Sequence, residues 1–228
     1  MVLAQPHQLP LNVSLYPECS LAHFAVGPNA LLVSELQQLA IKRQQLLYLW
    51  GDPGVGKSYL LQALIHDYHA LYLPLSELAQ FETEWLHRAA TAPLICVDDL
   101  ELLQDLSQWH EPFLHFFDEV RQLEGNLVLA AQIRPQDLDL PLLDLASRLT
   151  WGLSMEVKPL SDEDKLAALI HRCEQLGLEL EAEVGRFILQ RCQRDLGGLF
   201  NLIQELDKAS IAAQRRLTLP FVKAVLEI

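Results

Sequence analysis

A chain of 228 residues, half of them hydrophobic, can bury a sizeable core and is expected to form one large domain with a small appendage. Its net charge of −13 at pH 7 is spread along the chain, which argues against broad adhesion to phosphate backbones and leaves any role of DNA indirect. The four cysteines form no CxxC pair, the histidines lack metal-ligand spacing, and neither a leader nor a run of roughly 20 apolar residues occurs. A reduced cytoplasmic protein with no membrane span is therefore expected.

Residues 1–20 hold Pro6, Pro10 and Pro17 without a helical period and read as an extended tail able to carry a docking peptide. Leu32, Leu36 and Leu39 then recur at helical spacing within residues 29–43. The dense run Leu46-Leu47-Tyr48-Leu49-Trp50 suits a strand buried on both faces. Similar runs follow at residues 93–97 and 126–131, with a weaker strand at 70–73 and helices expected over 57–68, 75–90 and 109–123. Alternation of short buried strands with amphipathic helices predicts an α/β fold, a parallel sheet covered on both faces. After Pro159 the texture is helical only. Ser161 with Asp164 three residues on is an N-cap signature, and apolar stripes follow on four successive helices. The expected division is a tail (1–20), a nucleotide-binding α/β domain (21–157) and an all-helical lid (158–228).

The chemistry is set directly after Trp50, where Gly51-Asp52-Pro53-Gly54-Val55-Gly56-Lys57-Ser58 satisfies the phosphate-loop pattern between a strand and a helix. Glycines let the backbone curl around a pyrophosphate with its N–H groups inward. Lys57 can reach the phosphates, Ser58 can ligate Mg2+, and the helix presents its positive end to the anion, with Tyr59 in its first turn. An ADP or ATP ligand follows, both sharing the phosphates the loop grips. The apolar strand ending Val97-Asp98-Asp99 offers Asp98 as the magnesium-side carboxylate and Asp99 to orient a water, although a longer glutamate is commoner there in active ATPases.

Further blocks resemble the AAA+ family of the bacterial initiator DnaA, and more closely its short regulatory Hda branch, from about residue 8 onward. The segment Ala22-His23-Phe24-Ala25-Val26-Gly27-Pro28-Asn29 is similar to the part of that family that cradles adenine. The stretch Leu145-Ala146-Ser147-Arg148-Leu149-Thr150-Trp151-Gly152 resembles the arginine-finger block, implying that Arg148 reaches into a neighbouring subunit's nucleotide site. Cys192-Gln193-Arg194-Asp195-Leu196-Gly197-Gly198-Leu199 resembles the lid block whose arginine, here Arg194, senses nucleotide. The lid entry at Ser161 and the Pro220-Phe221-Val222-Lys223 end look like Hda in particular. Gln132 stands where the family usually has an aspartate or asparagine sensor, which puts efficient hydrolysis by this chain alone in doubt.

In the tail, Gln8-Leu9-Pro10-Leu11-Asn12-Val13 resembles the peptide that binds the sliding clamp, the β subunit of DNA polymerase: Gln8 at the rim, Leu9, Leu11 and Val13 as apolar anchors. The resemblance implies a negative regulator of replication initiation. Such a protein, nucleotide-bound and tethered to the clamp, stimulates ATP hydrolysis by DnaA, with self-assembly left open. The alternatives are a self-contained ATPase such as a helicase loader or clamp-loader-like subunit, and a small-molecule kinase, against which the helical lid speaks.

Overall fold

The computed structural model describes residues 19–39, 41–192, 196–213 and 215–226. Five strands, β1 (Leu46–Trp50), β2 (Leu71–Pro74), β3 (Leu94–Asp98), β4 (Asn126–Ala131) and β5 (Leu153–Glu156), form one sheet in the order β2-β3-β4-β1-β5. Every pairing is parallel. The sheet separates two cores, as the period-2 alternation of a strand buried on both sides requires. Tyr48, Ile95, Val97, Leu127 and Leu129 face one core; Leu47, Leu49, Cys96, Val128 and Ala130 face the other.

The second core is closed by α1 (Ala30–Gln38) and α2 (Lys57–Tyr68) through Leu32, Leu36, Leu60 and Leu64. The first is closed by α3 (Leu75–Leu78), α4 (Leu86–Ala89), α5 (His110–Gln122) and α6 (Leu143–Leu149), with Trp109, Phe113 and Phe116 almost fully buried. A third core is built by residues 169–222 alone, from α7 (Asp162–Gln175), α8 (Ala182–Arg191), α9 (Leu196–Ala213) and α10 (Leu219–Val225). The start of α7 carries the capping box expected from the sequence. Ser161 Oγ accepts the Asp164 N–H at 3.1 Å, and the Asp164 carboxylate accepts the Ser161 N–H.

Two elements differ from the sequence reading. The helix expected over residues 75–90 is broken into α3 and α4. At about 100° per residue, a continuous helix that buried Leu75, Leu78, Leu86 and Ala89 would place the exposed Glu82 at the centre of that face, with Trp85 at its edge and Phe81 off it. The break at residues 79–85 lets Phe81 and Trp85 pack against the same core. The fifth strand was not expected. It lies at the sheet edge, is mostly exposed and lacks the dense apolar run of the others. The other expected strands form within a residue of their limits, and Cys19, Cys96 and Cys173 are buried free thiols, with Cys192 half-buried. Among the described residues no helix is long and apolar enough to cross a membrane.

Two buried asparagines lock loops to the sheet. The Asn29 side chain pairs with the Lys158 backbone as another strand would, donating to its carbonyl at 3.0 Å and accepting its N–H at 2.8 Å, which joins the segment before the phosphate loop to the entry of α7. The Asn126 amide donates to the carbonyls of Leu39 (3.1 Å) and Lys42 (2.9 Å), while its oxygen accepts the Gln45 N–H at 2.9 Å. Removing that side chain strands several polar groups at a buried site, each worth about 1–3 kcal/mol. Asn126→Ala is therefore expected to lower the melting temperature by roughly 5–10 °C, measured by thermal unfolding followed by circular dichroism.

Candidate functional site

The turn after β1 is shaped by backbone conformations that side chains resist. Gly54 and Gly56 have φ of +78° and +103°, and a Cβ on Gly56 would stand 3.1 Å from the Phe24 ring. The turn opens a cavity of about 250 Å³ whose wall includes Gly54, Gly56, Lys57, Ser58 and Tyr59. Because the sheet order places β4 between β1 and β3, the residue after β4 sits between the phosphate loop and the carboxylates after β3. Gln132 and Asp98, Asp99 and Glu101 all line the cavity. The opposite wall is His23, Phe24 and Ala25 from the segment before α1, with Phe24 tilted against Tyr59 at 5.9 Å, and Gly197 and Phe200 from α9.

Lys57 is buried, and its ammonium donates to the Gly51 carbonyl at 2.6 Å and the Asp52 carbonyl at 2.9 Å. Burial pulls its pKa below the ordinary lysine value, while nearby carboxylates, Glu101 foremost and then Asp98, Asp52 and Asp99, favour the charged form. Asp98 is 3% exposed. Its carboxylate accepts the Tyr72 hydroxyl at 2.8 Å and the Asp99 N–H at 3.0 Å, and Ser58 hydrogen-bonds to it as well. Burial holds the Asp98 pKa above the ordinary carboxylate range, and the Ser58 and Tyr72 hydrogen bonds oppose that rise. A buried carboxylate touching the first hydroxyl of α2 suits a hard cation that keeps part of its water shell and shares phosphate oxygens. Ser58 and Asp98 are the residues that would hold it.

Of the other expected site residues, Pro53 lines the cavity and Val55 is buried beneath the loop. Arg194 and the tail peptide of Gln8, Leu9, Leu11 and Val13 lie outside the described residues. Arg148, on α6, does not line the cavity. Its guanidinium makes a two-pronged ion pair with Asp118 of α5, Nε to Oδ1 at 2.6 Å and Nη2 to Oδ2 at 3.0 Å, and lies 5.2 Å from the Trp151 ring centre. Arg121 packs on the same ring at 4.7 Å. Tyr72, Glu101, Asp118 and Trp151 escaped the sequence reading as partners of these groups. The hydrogen bonds Tyr72–Asp98, Glu101–Gln132 and Arg148–Asp118 span 26 to 31 residues and leave no periodic trace.

Asp98→Asn should separate folding from metal use. The neutral carboxyl is favoured in the fold, so the ionised group costs stability, a cost absent below the unfolded carboxyl pKa of about 4 and growing as the pH rises above it. Asp98→Asn is expected to raise the melting temperature at neutral pH, with the gain fading toward about pH 4, and to lower Mg2+-dependent nucleotide affinity by at least about tenfold. Thermal melts across pH, paired with nucleotide titrations with and without Mg2+, check both halves.

Known proteins resemble the chain in its lid sequence and in its fold. The family model of the Hda lid domain matches residues 162–226. In structure the chain is similar to domain III of the replication initiation protein DnaA from Thermotoga maritima, at 20% identity over 94% of this chain and 98% of that one, with a TM-score of 0.76. It is also similar to AMPPCP-bound DnaA from Aquifex aeolicus, at 25% identity over 84% of this chain and 67% of that one, with a TM-score of 0.69. A RuvB mutant from Thermotoga maritima shares the fold at 15% identity, covering 92% of this chain and 71% of that one, with a TM-score of 0.69. Residues 162–226 thus match an Hda-type lid domain, and the chain as a whole shares its fold with the DnaA and RuvB structures.

Proposed function

We propose that this chain is a regulator of replication initiation that binds an adenine nucleotide in its own phosphate loop and lends Arg148 to the nucleotide site of an ATP-bound initiator, DnaA, while its tail holds the sliding clamp. The observation that carries this reading is a separation of parts. The cavity that would hold the chain's own nucleotide is walled by Lys57, Ser58 and Asp98, whereas Arg148 stands outside it, braced by Asp118 and Trp151. Because Arg148 does not line the cavity of its own chain, this reading places its work at a neighbour's site. The Hda lid match and the likeness to a DnaA that holds AMPPCP support the nucleotide and the replication context.

In this reading the residues of the chain divide the work. The loop amides and Lys57 grip the phosphates, and His23, Phe24 and Phe200 flank the rest of the nucleotide. Bound magnesium would neutralise phosphate charge between Ser58 and Asp98. Arg148 contributes positive charge where negative charge develops as the partner's γ-phosphoryl group leaves, an effect typically worth about 10³–10⁵ in rate when supplied in trans. The bidentate pair with Asp118 fixes the plane of the guanidinium before any partner arrives, so less side-chain entropy is lost on docking. The clamp peptide at Gln8 to Val13 would raise the local concentration of the regulator near DNA carrying the clamp. A second reading, a self-contained ATPase, draws on the three carboxylates in the cavity.

The test is hydrolysis of initiator-bound ATP with and without DNA-loaded clamp. Arg148→Ala is expected to cut the stimulation at least about 100-fold while nucleotide retention stays at the wild-type level. Stimulation that survives the substitution removes the arginine-finger role. Gln8→Ala with Leu9→Ala is expected to weaken capture by immobilised clamp at least about tenfold and to abolish only the clamp-dependent part of the stimulation. Unchanged capture contradicts the tail assignment.

A further inference from the structure

The carboxylate expected to orient water, Asp99, is not the one best placed to do so. Asp99 leaves β3 in the left-handed conformation, φ +58°, and although it lines the cavity, one of its oxygens is taken by the hydroxyl of Ser76, a residue of α3 that does not line it, at 2.5 Å. The left-handed step turns the chain into a tight 3-10 turn, Leu100–Gln104. In such a turn residues three apart share a face. Leu100 and Leu103 are fully buried, which leaves Glu101 and Gln104 on a common neighbouring face. Both are pinned to the loop after β4: Glu101 Oε2 accepts the Gln132 N–H at 3.1 Å, and Gln104 Oε1 accepts the Asp139 N–H at 2.9 Å.

Glu101 therefore enters the cavity as a preorganised group. It is braced by the backbone of the sensor-position residue, it is one methylene longer than Asp99, and of the carboxylates around Lys57 it acts on that ammonium most strongly. Asp98 is committed to Ser58 and Tyr72, and Asp99 to Ser76. We propose that Glu101 is the residue that orients and deprotonates the attacking water in ATP hydrolysis by this chain itself. The inference rests on the reading of the cavity as a nucleotide site and adds to the chain an activity of its own.

The step balances without further reactants. The water oxygen forms a bond to the γ-phosphorus as the bond from that phosphorus to the β,γ-bridging oxygen breaks. ADP departs with the electron pair of the broken bond, and the proton of the water passes to the Glu101 carboxylate and on to the released phosphate. Tying Glu101 to the Gln132 amide also links the water-holding group to the end of β4.

The test uses the purified full-length chain, with ATP retention and release of inorganic phosphate measured separately in the wild type, Glu101→Gln, Glu101→Asp and Asp99→Asn. Glu101→Gln is expected to lower the rate about 100-fold at unchanged ATP affinity and melting temperature. Glu101→Asp should recover part of the rate, and Asp99→Asn should lose less than Glu101→Gln. The proposal is overturned if Asp99→Asn accounts for the larger loss, if Glu101→Gln lowers affinity or stability instead of rate, or if the wild type releases no more phosphate than Lys57→Ala. Failure of the wild type to retain ATP at all overturns the nucleotide-site reading itself and is read in the binding arm alone.

Discussion

The structure turns on a buried cation. Lys57 sits at the start of α2, largely buried in the wall of the cavity, with its ammonium tied to two carbonyls of the turn that precedes it and with four carboxylates nearby. A charge in that position is tolerable only when anions or oriented dipoles surround it. The carbonyls of Gly51 and Asp52 meet part of that need, and the polyphosphate of a nucleotide would meet the rest. The parallel sheet, the left-handed glycines of the turn and the acidic loop after β3 all serve to keep a charged lysine where a phosphate can find it.

From that point the remaining parts acquire their places. β4 lies between the strand that feeds the phosphate loop and the strand that ends in Asp98, so its last residues touch both. Gln132 passes this position on to Glu101 through its backbone N–H. On the other side, Asn29 binds the Lys158 backbone and ties the Phe24 segment to the entry of the lid, whose α9 adds Gly197 and Phe200 to the same cavity. A ligand gripped there would contact the sheet domain and the lid together.

What could be read from the sequence was what is local. The phosphate loop is contiguous, and its flanking strand and helix are set by an unbroken apolar run and by a helical period, so Gly51 through Ser58 were found at once. The capping box at Ser161 and Asp164 is equally local. The edge strand β5 was invisible because Leu153-Ser154-Met155-Glu156 takes its strand character from pairing with β1 rather than from its own composition. The break between α3 and α4 is hidden by a good helical period, which burying Phe81 and keeping Glu82 in solvent override. At the site, Asp98 was legible as an acid at the end of an apolar strand, whereas its partner Tyr72 was not. Choosing between Asp99 and Glu101 needs the left-handed turn at Asp99, which no spacing rule reports.

In the proposed function one molecule holds a nucleotide in cis and offers an arginine in trans. The most direct measurement loads this chain with non-hydrolysable AMPPCP, loads the initiator with radiolabelled ATP, and follows phosphate release in a single turnover on DNA carrying the clamp. Acceleration of release from the initiator, with the regulator's own nucleotide intact, is the predicted result. Release that stays at the initiator's unassisted rate, or that appears only when this chain carries hydrolysable ATP, contradicts the account.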